Sequence, residues 1–268
     1  MSVAEPGTTA SAARLSVREV TARFGGLTAL DAVSFDVAGG EVVGLIGPNG
    51  AGKTTVFNIT CGLSRAKSGT VLIDGRPRPR AHRLAAAGVA RTFQGLGLFG
   101  GLTVRENVMA GLADAAPGFG AGLLGLPAAP AHLATASARA EQALDGLGIR
   151  DTADRRPDDL PYPIQKRVAL ARALVTRPRL LLLDEPAGGL GEDEITELGE
   201  LIRDVVRENP DTAVLFVEHH VDLVMAVSDR IVVLDAGRVI AEGTPDQIRV
   251  DAAVAEAYLG HDVEGVAG

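Results

Sequence analysis

Apolar and polar residues alternate from Leu15 to Phe24 and again from Val33 to Val37, the period of two expected of strands with one buried face. The stretch Glu41 to Ile46 is almost wholly apolar and runs into Gly-Pro-Asn-Gly, which predicts a buried strand feeding a glycine-rich loop. Residues 53–62 have helical character, and Thr70 to Ile73 and Val89 to Thr92 read as short strands. Thr103 followed by Glu106 is a capping box and predicts a helix through Ala113. Helical patterns cover about 133–147 and 164–176, and Leu180 to Leu183 is a short apolar run suited to a strand buried on both faces. Strand and helix then alternate: Ala213 to Val217, a helix over Val221 to Val227, and a strand pair, Ile231 to Leu234 and Arg238 to Ala241, around Ala236-Gly237. Such alternation predicts an α/β sheet with crossover helices.

Two segments break the pattern. The first residues, to about 13, read as disordered. Between Leu112 and Ala131 the composition shifts to Ala, Gly, Leu and Pro, with Pro117, Pro127 and Pro130 expected to interrupt any helix, so this stretch reads as a surface excursion.

Composition narrows the function. A formal charge of -8 over 268 residues argues against a nucleic-acid partner, which calls for a basic stripe. No apolar run approaches the ~20 residues needed to span a bilayer, which predicts a cytoplasmic chain whose membrane contact goes through a partner. Cys61 is the single cysteine, expected as a small buried residue. Only three lysines occur, Lys53, Lys67 and Lys166, so each is a candidate for chemistry that arginine cannot perform.

Lys53 supplies such chemistry. Gly47-Pro48-Asn49-Gly50-Ala51-Gly52-Lys53-Thr54-Thr55 satisfies G-x-x-x-x-G-K-[ST] between an apolar strand and a helix, where a phosphate-binding loop works. Its glycines let backbone N–H groups wrap a nucleotide's phosphates, Lys53 neutralises the β and γ oxygens, and the Thr54 hydroxyl is available to Mg²⁺. Leu183-Asp184-Glu185 places two carboxylates at a strand's C-terminal end, with Asp184 suited to hold Mg²⁺ and Glu185 to polarise an attacking water.

With these motifs in place, the chain from about Leu15 to Gly260 resembles the ATP-binding subunits of ABC transporters. The resemblance implies a P-loop NTPase α/β sheet with an antiparallel β subdomain and a helical subdomain over about 95–176, within an ATP-binding domain spanning 14–260 and followed by a tail, 261–268. It implies that Phe24 stacks on adenine, that Gln94 meets both Mg²⁺ and the coupling surface of the membrane subunit, and that His219 contacts the γ-phosphate and orders the attacking water. His220 carries no such role. Arg-Thr-Phe-Gln, Leu-Phe-Gly-Gly-Leu-Thr-Val-Arg-Glu-Asn-Val, Val-Met-Ala-Val-Ser-Asp-Arg-Ile and Glu-Gly-Thr-Pro with a final Ala-Tyr-Leu-Gly are similar to branched-chain amino-acid importer subunits. Importers of urea and short amides share much of that pattern. The implied partners are membrane-spanning permease subunits, a second ATPase subunit and, indirectly, a substrate-binding protein, with this chain peripheral on the cytoplasmic face of the membrane.

Two places depart from the family. The signature, usually close to L-S-G-G-Q, reads Leu160-Pro161-Tyr162-Pro163-Ile164 with Gln165 next, and Gly191 stands where the loop after Glu185 usually ends in Asp or Asn. Both segments normally act across a dimer interface, and Pro161 and Pro163 lack donors that the family's serine and glycine supply. The degenerate signature points to a non-identical ATPase partner; a subunit that binds ATP but turns it over weakly is the alternative. A soluble ABC ATPase without a transport role is a third reading, against which the chain shows neither a second such domain nor a coiled-coil insertion.

Overall fold

The computed structural model describes residues 13–92, 95–112 and 130–264. Strands β1 (Ala13–Phe24), β2 (Leu27–Ala38), β4 (Ser68–Ile73) and β5 (Arg76–Pro77) form an antiparallel sheet in the order β2-β1-β4-β5. The second sheet runs β10-β9-β3-β8-β7-β6, from β3 (Val42–Ile46), β6 (Val89–Arg91), β7 (Leu180–Asp184), β8 (Ala213–Val217), β9 (Arg230–Asp235) and β10 (Arg238–Gly243). All its neighbours pair in parallel except the β9–β10 hairpin.

Alternate residues of the central strands enter two separate cores, which explains why these strands carry apolar runs and not an alternating pattern. Leu181, Leu183, Val214 and Phe216 face helices on one side. Leu180, Leu182, Leu215 and Val217 face the antiparallel sheet and α1 (Lys53–Thr60) on the other. The first core is covered by α2 (Val104–Ala110), α3 (Pro130–Asp145), α4 (Tyr162–Leu174), α5 (Glu192–Glu208) and α6 (Val221–Val227). Two helices close the described chain, α7 (Pro245–Arg249) and α8 (Ala252–Glu264).

Several boundaries differ from the sequence expectation. Ala13 already pairs with Ala38, so β1 begins inside the segment read as disordered, while residues 1–12 lie outside the described residues. Pro130 does not interrupt a helix; it is the first residue of α3, where the missing N–H has no intrahelical acceptor to lose. Most of the Ala/Gly/Pro-rich stretch, 113–129, lies outside the described residues. The capping box forms as read, with Glu106 N–H donating to Thr103 Oγ1 at 3.2 Å and Thr103 N–H to Glu106 Oε2 at 2.8 Å. Its helix stops at Ala110, and Gly111 lies so close to α4 that a Cβ there would fall 2.1 Å from the Arg172 carbonyl oxygen. At the other end of the chain α8 runs past 260 to Glu264. Among the described residues no helix is long and apolar enough to cross a membrane.

Candidate nucleotide site

Strand β3 delivers the glycine-rich loop to the mouth of a cleft of about 620 Å³ lined by Phe24, Leu27, Asn49, Lys53, Glu185 and His219 among others. Gly47 has φ +149°, and a Cβ there would fall 2.0 Å from the Leu234 carbonyl oxygen, so the turn out of β3 admits no side chain. Gly52, at φ +104°, caps α1 and presses on Leu30 and Ala29 in the same way. Pro48 and Ala51 are buried, Asn49, Gly50 and Thr54 are exposed, and Thr55 is half-buried. Lys53 is 5% exposed and donates from Nζ to the carbonyls of Gly47 at 2.6 Å and Pro48 at 2.9 Å. Burial lowers its pKa, and the charge of Glu185 acts in the opposite direction.

Asp184 ends β7 opposite Val217 of β8, and its N–H faces Thr92 Oγ1 at 3.4 Å. Its pKa is raised by burial first and then by the neighbouring Glu185 and Glu218, with Arg91 and His219 opposing. Glu185 follows at φ +46°, a left-handed conformation that costs a non-glycine residue roughly 1–2 kcal/mol. It is held there by its N–H to the Val217 carbonyl at 2.9 Å, and Gly188 N–H returns to the Glu185 carbonyl at 3.2 Å. The turn brings Glu185 Oε1 to 2.7 Å from His219 Nε2. With a proton on Nε2, His219 is the donor in that contact and the Glu185 carboxylate the acceptor.

The structure thus gathers Lys53, Thr54, Glu185, His219 and the exposed ring of Phe24 on one cleft, with Asp184 one residue behind. It does not bring Leu160, Pro161, Tyr162, Pro163, Ile164 or Gln165 there. Pro161 is the N-cap of α4 with no side-chain cap, Pro163 lies in the first turn, and Leu160 is buried. Gln165 turns back, donating from Nε2 to the Leu160 carbonyl at 2.9 Å. Helix α4 begins at Tyr162, two residues before the sequence expectation, because proline at N-cap and N2 suits a helix start. Gln94 lies outside the described residues.

Two residues beside the site were given no specific role in it by the sequence reading. Lys166 donates to the Pro186 carbonyl at 2.8 Å and lies 5.5 Å from the Tyr162 ring centroid; being one of only three lysines was its available signal. Glu218 is 2% exposed, a buried carboxylate at the end of an apolar strand.

A strand–glycine loop–helix that presents a buried lysine, with a carboxylate pair at the end of β7, separated from β3 by β8 alone, defines a nucleoside-triphosphate-binding P-loop ATPase. The comparisons narrow this to a family. Residues 30–188 match the ABC transporter family, and residues 238–264 match a family described as branched-chain amino acid ATP-binding cassette transporter. The chain is 42% identical over 252 residues to the high-affinity branched-chain amino acid transport ATP-binding protein LivG of Escherichia coli, covering 92% of this chain and 97% of that one. Among solved structures it superposes on the ADP conformation of an ATP-binding cassette of an ABC transporter with TM-score 0.80 and 28% identity, over 92% of this chain and 99% of the other. A dimeric, post-hydrolysis cassette bound to ADP and phosphate gives TM-score 0.71 and 26% identity, over 86% and 98%. The chain belongs to the ABC transporter family, as an ATP-binding subunit whose ATPase activity is coupled to transport.

Proposed function

We propose that this chain drives uptake of branched-chain amino acids through an ABC importer, bound to permease subunits at the cytoplasmic face of the membrane and fed by a substrate-binding protein. The observation that carries the reading is the 42% identity, along almost the full length of both chains, to a subunit named for that transport. The separate match at 238–264 to a family of the same description supports it.

Within the site, Phe24 offers its ring to adenine, and backbone N–H groups between Asn49 and Thr55, with Lys53, hold the phosphates. For Lys53 to reach a nucleotide it exchanges the neutral Gly47 and Pro48 carbonyls for anionic phosphate oxygens, so that both partners of the bond are charged. Mg²⁺ fits the donor set: Thr54 has an exposed hydroxyl, and the crowding of Asp184 by Glu185 and Glu218 is relieved by a cation. Among the described residues no three His, Cys, Asp or Glu side chains converge to hold a metal, so its other ligands come from phosphate, water and, in this reading, Gln94. The ion neutralises charge on the phosphates. Glu185 takes the proton of the attacking water, and His219, 2.7 Å away, fixes the carboxylate's direction and faces the γ-phosphate.

Each ATP is then completed by the signature of the opposite subunit. Pro161 and Pro163 impair what this chain offers across the interface, which supports pairing with a non-identical ATPase, one competent site resting on this chain's Lys53, Asp184, Glu185 and His219. The test is uptake by the reconstituted transporter: leucine accumulation that depends on ATP and disappears with Glu185→Gln, while urea and short amides are not carried. ATP-driven uptake of urea in place of leucine refutes the cargo, and Glu185→Gln turnover within about twofold of wild type refutes the base.

A further inference from the structure

Strands β7 and β8 run in register to Asp184 and Val217, and their ladder ends with the Glu185 N–H bond to Val217. Beyond it the two chains diverge, one into the loop carrying Glu185 and Pro186, the other into the turn carrying His219. A parallel ladder that stops inside the protein leaves N–H groups needing acceptors. One side chain supplies them: Glu218 Oε1 accepts from Ala187 N–H at 2.6 Å, and Glu218 Oε2 accepts from His219 N–H at 2.9 Å and His220 N–H at 3.4 Å. Ala187 is fully buried, so its amide has no access to water. A single carboxylate therefore joins segments 31 residues apart in sequence, each carrying one member of the Glu185–His219 pair.

The choice of glutamate has a chemical reason. Three backbone donors converge, and an ionised carboxylate accepts through both oxygens, whereas a glutamine offers one acceptor and turns an NH₂ donor toward the remaining N–H groups. Burying the carboxylate is costly, and an apolar residue fills a strand end more cheaply, so stability alone does not call for it. Lys166 lies close enough to Glu218 to interact with its charge, and donates to the carbonyl of Pro186 on the loop that Glu218 holds from the other side.

We propose that Glu218 is a positioning residue for ATP hydrolysis, locking the loop after Glu185 to the His219 turn so that the two side chains meet at hydrogen-bond distance. The proposal rests on the reading of Glu185 and His219 as the hydrolytic pair. Misplacement of reacting groups by about 1 Å costs on the order of 10²-fold in rate. In the assembled transporter, Glu218→Gln is expected to lower kcat for ATP by about 10- to 100-fold with KM within about threefold, because neither loop carries Lys53.

The decisive experiment is a double-mutant cycle with His219→Ala, read alongside thermal unfolding. If Glu218 acts through His219, Glu218→Gln costs less than about twofold once His219 is absent. Losses that multiply in the double variant, or a Glu218→Gln enzyme with wild-type kcat, overturn the proposal. Glu218→Asp keeps the charge but not the reach; it is run through the same cycle with the same expectation, so the coupling is still measured if the glutamine variant fails to fold. Wild-type turnover by His219→Ala alone instead overturns the hydrolytic pair on which the proposal rests, and that arm reads it independently of any change at Glu218.

Discussion

Restoring the lost donors of the signature is the most direct way to test the asymmetric pair. Helix α4 starts at Tyr162, with Pro161 as N-cap and Pro163 in the first turn. Gln165 N–H is already engaged by the Pro161 carbonyl at 3.1 Å, leaving the amides of Tyr162 and Ile164 as the donors of that turn. Pro161→Ser returns a hydroxyl at the cap, and Pro163→Gly returns one N–H. A hydrogen bond to a charged oxygen contributes about 1.5–3 kcal/mol, so the pair of changes is worth up to about 3–6 kcal/mol, two to four powers of ten, less ~1 kcal/mol for glycine in a helix. The assay is steady-state ATP hydrolysis by the purified transporter with one general base removed at a time. Glu185→Gln in this subunit should silence nearly all turnover, because the remaining site depends on the proline-bearing signature. The matching change in the partner should cost little. Adding Pro161→Ser and Pro163→Gly to the Glu185→Gln subunit should then raise turnover at least tenfold, the effect of one such bond at about 1.5 kcal/mol. Equal losses from the two base substitutions, or no gain from restoring the donors, refute the reasoning.

Lys53→Ala removes the cation that bridges the Gly47 and Pro48 carbonyls and should abolish ATP binding in direct calorimetry; unchanged affinity refutes the phosphate-binding assignment. Arg230 pairs with Glu41 at 2.7 Å, with Glu242 and with the Asp36 carbonyl at 2.6 Å. Arg230→Ala leaves Glu41, 17% exposed, without that partner and should cost about 2–3 kcal/mol, or roughly 5–10 °C in Tm by scanning calorimetry, and a shift under about 1 °C contradicts it. Cys61 is fully buried, and burial lifts its thiol from 9.0 to about 11, so alkylation at pH 8 should be slow in the native protein and fast in denaturant. Since the folded pKa is the higher one, that thiol's contribution to stability is complete below pH 9.0 and declines as pH rises toward about 11, which pH-dependent unfolding would register.

Local grammar was enough for the elements that depend on neighbours in sequence. The strand β3, its glycine loop and α1 follow from contiguous residues, as does the capping box at Thr103 and Glu106, because the physics involved spans a few residues. The apolar run at Leu180 to Leu183 announced a strand buried on both faces, and Ala213 to Val217 a strand, for the same reason. Pro130 misled because a proline breaks a helix interior but suits its first turn, and only the position of the helix start distinguishes the two.

Tertiary structure decided what depends on residues far apart in the chain. That alternate side chains of one strand enter two different cores requires both covering layers to be in place. The meeting of Glu185 with His219 spans 34 residues and needs a left-handed turn at Glu185 that no local rule predicts for glutamate. Glu218 looks in sequence like a polar residue that ends a strand. Its importance appears only when two loops converge on it, because a buried backbone N–H must find an acceptor, and the folded chain alone determines which one is within reach.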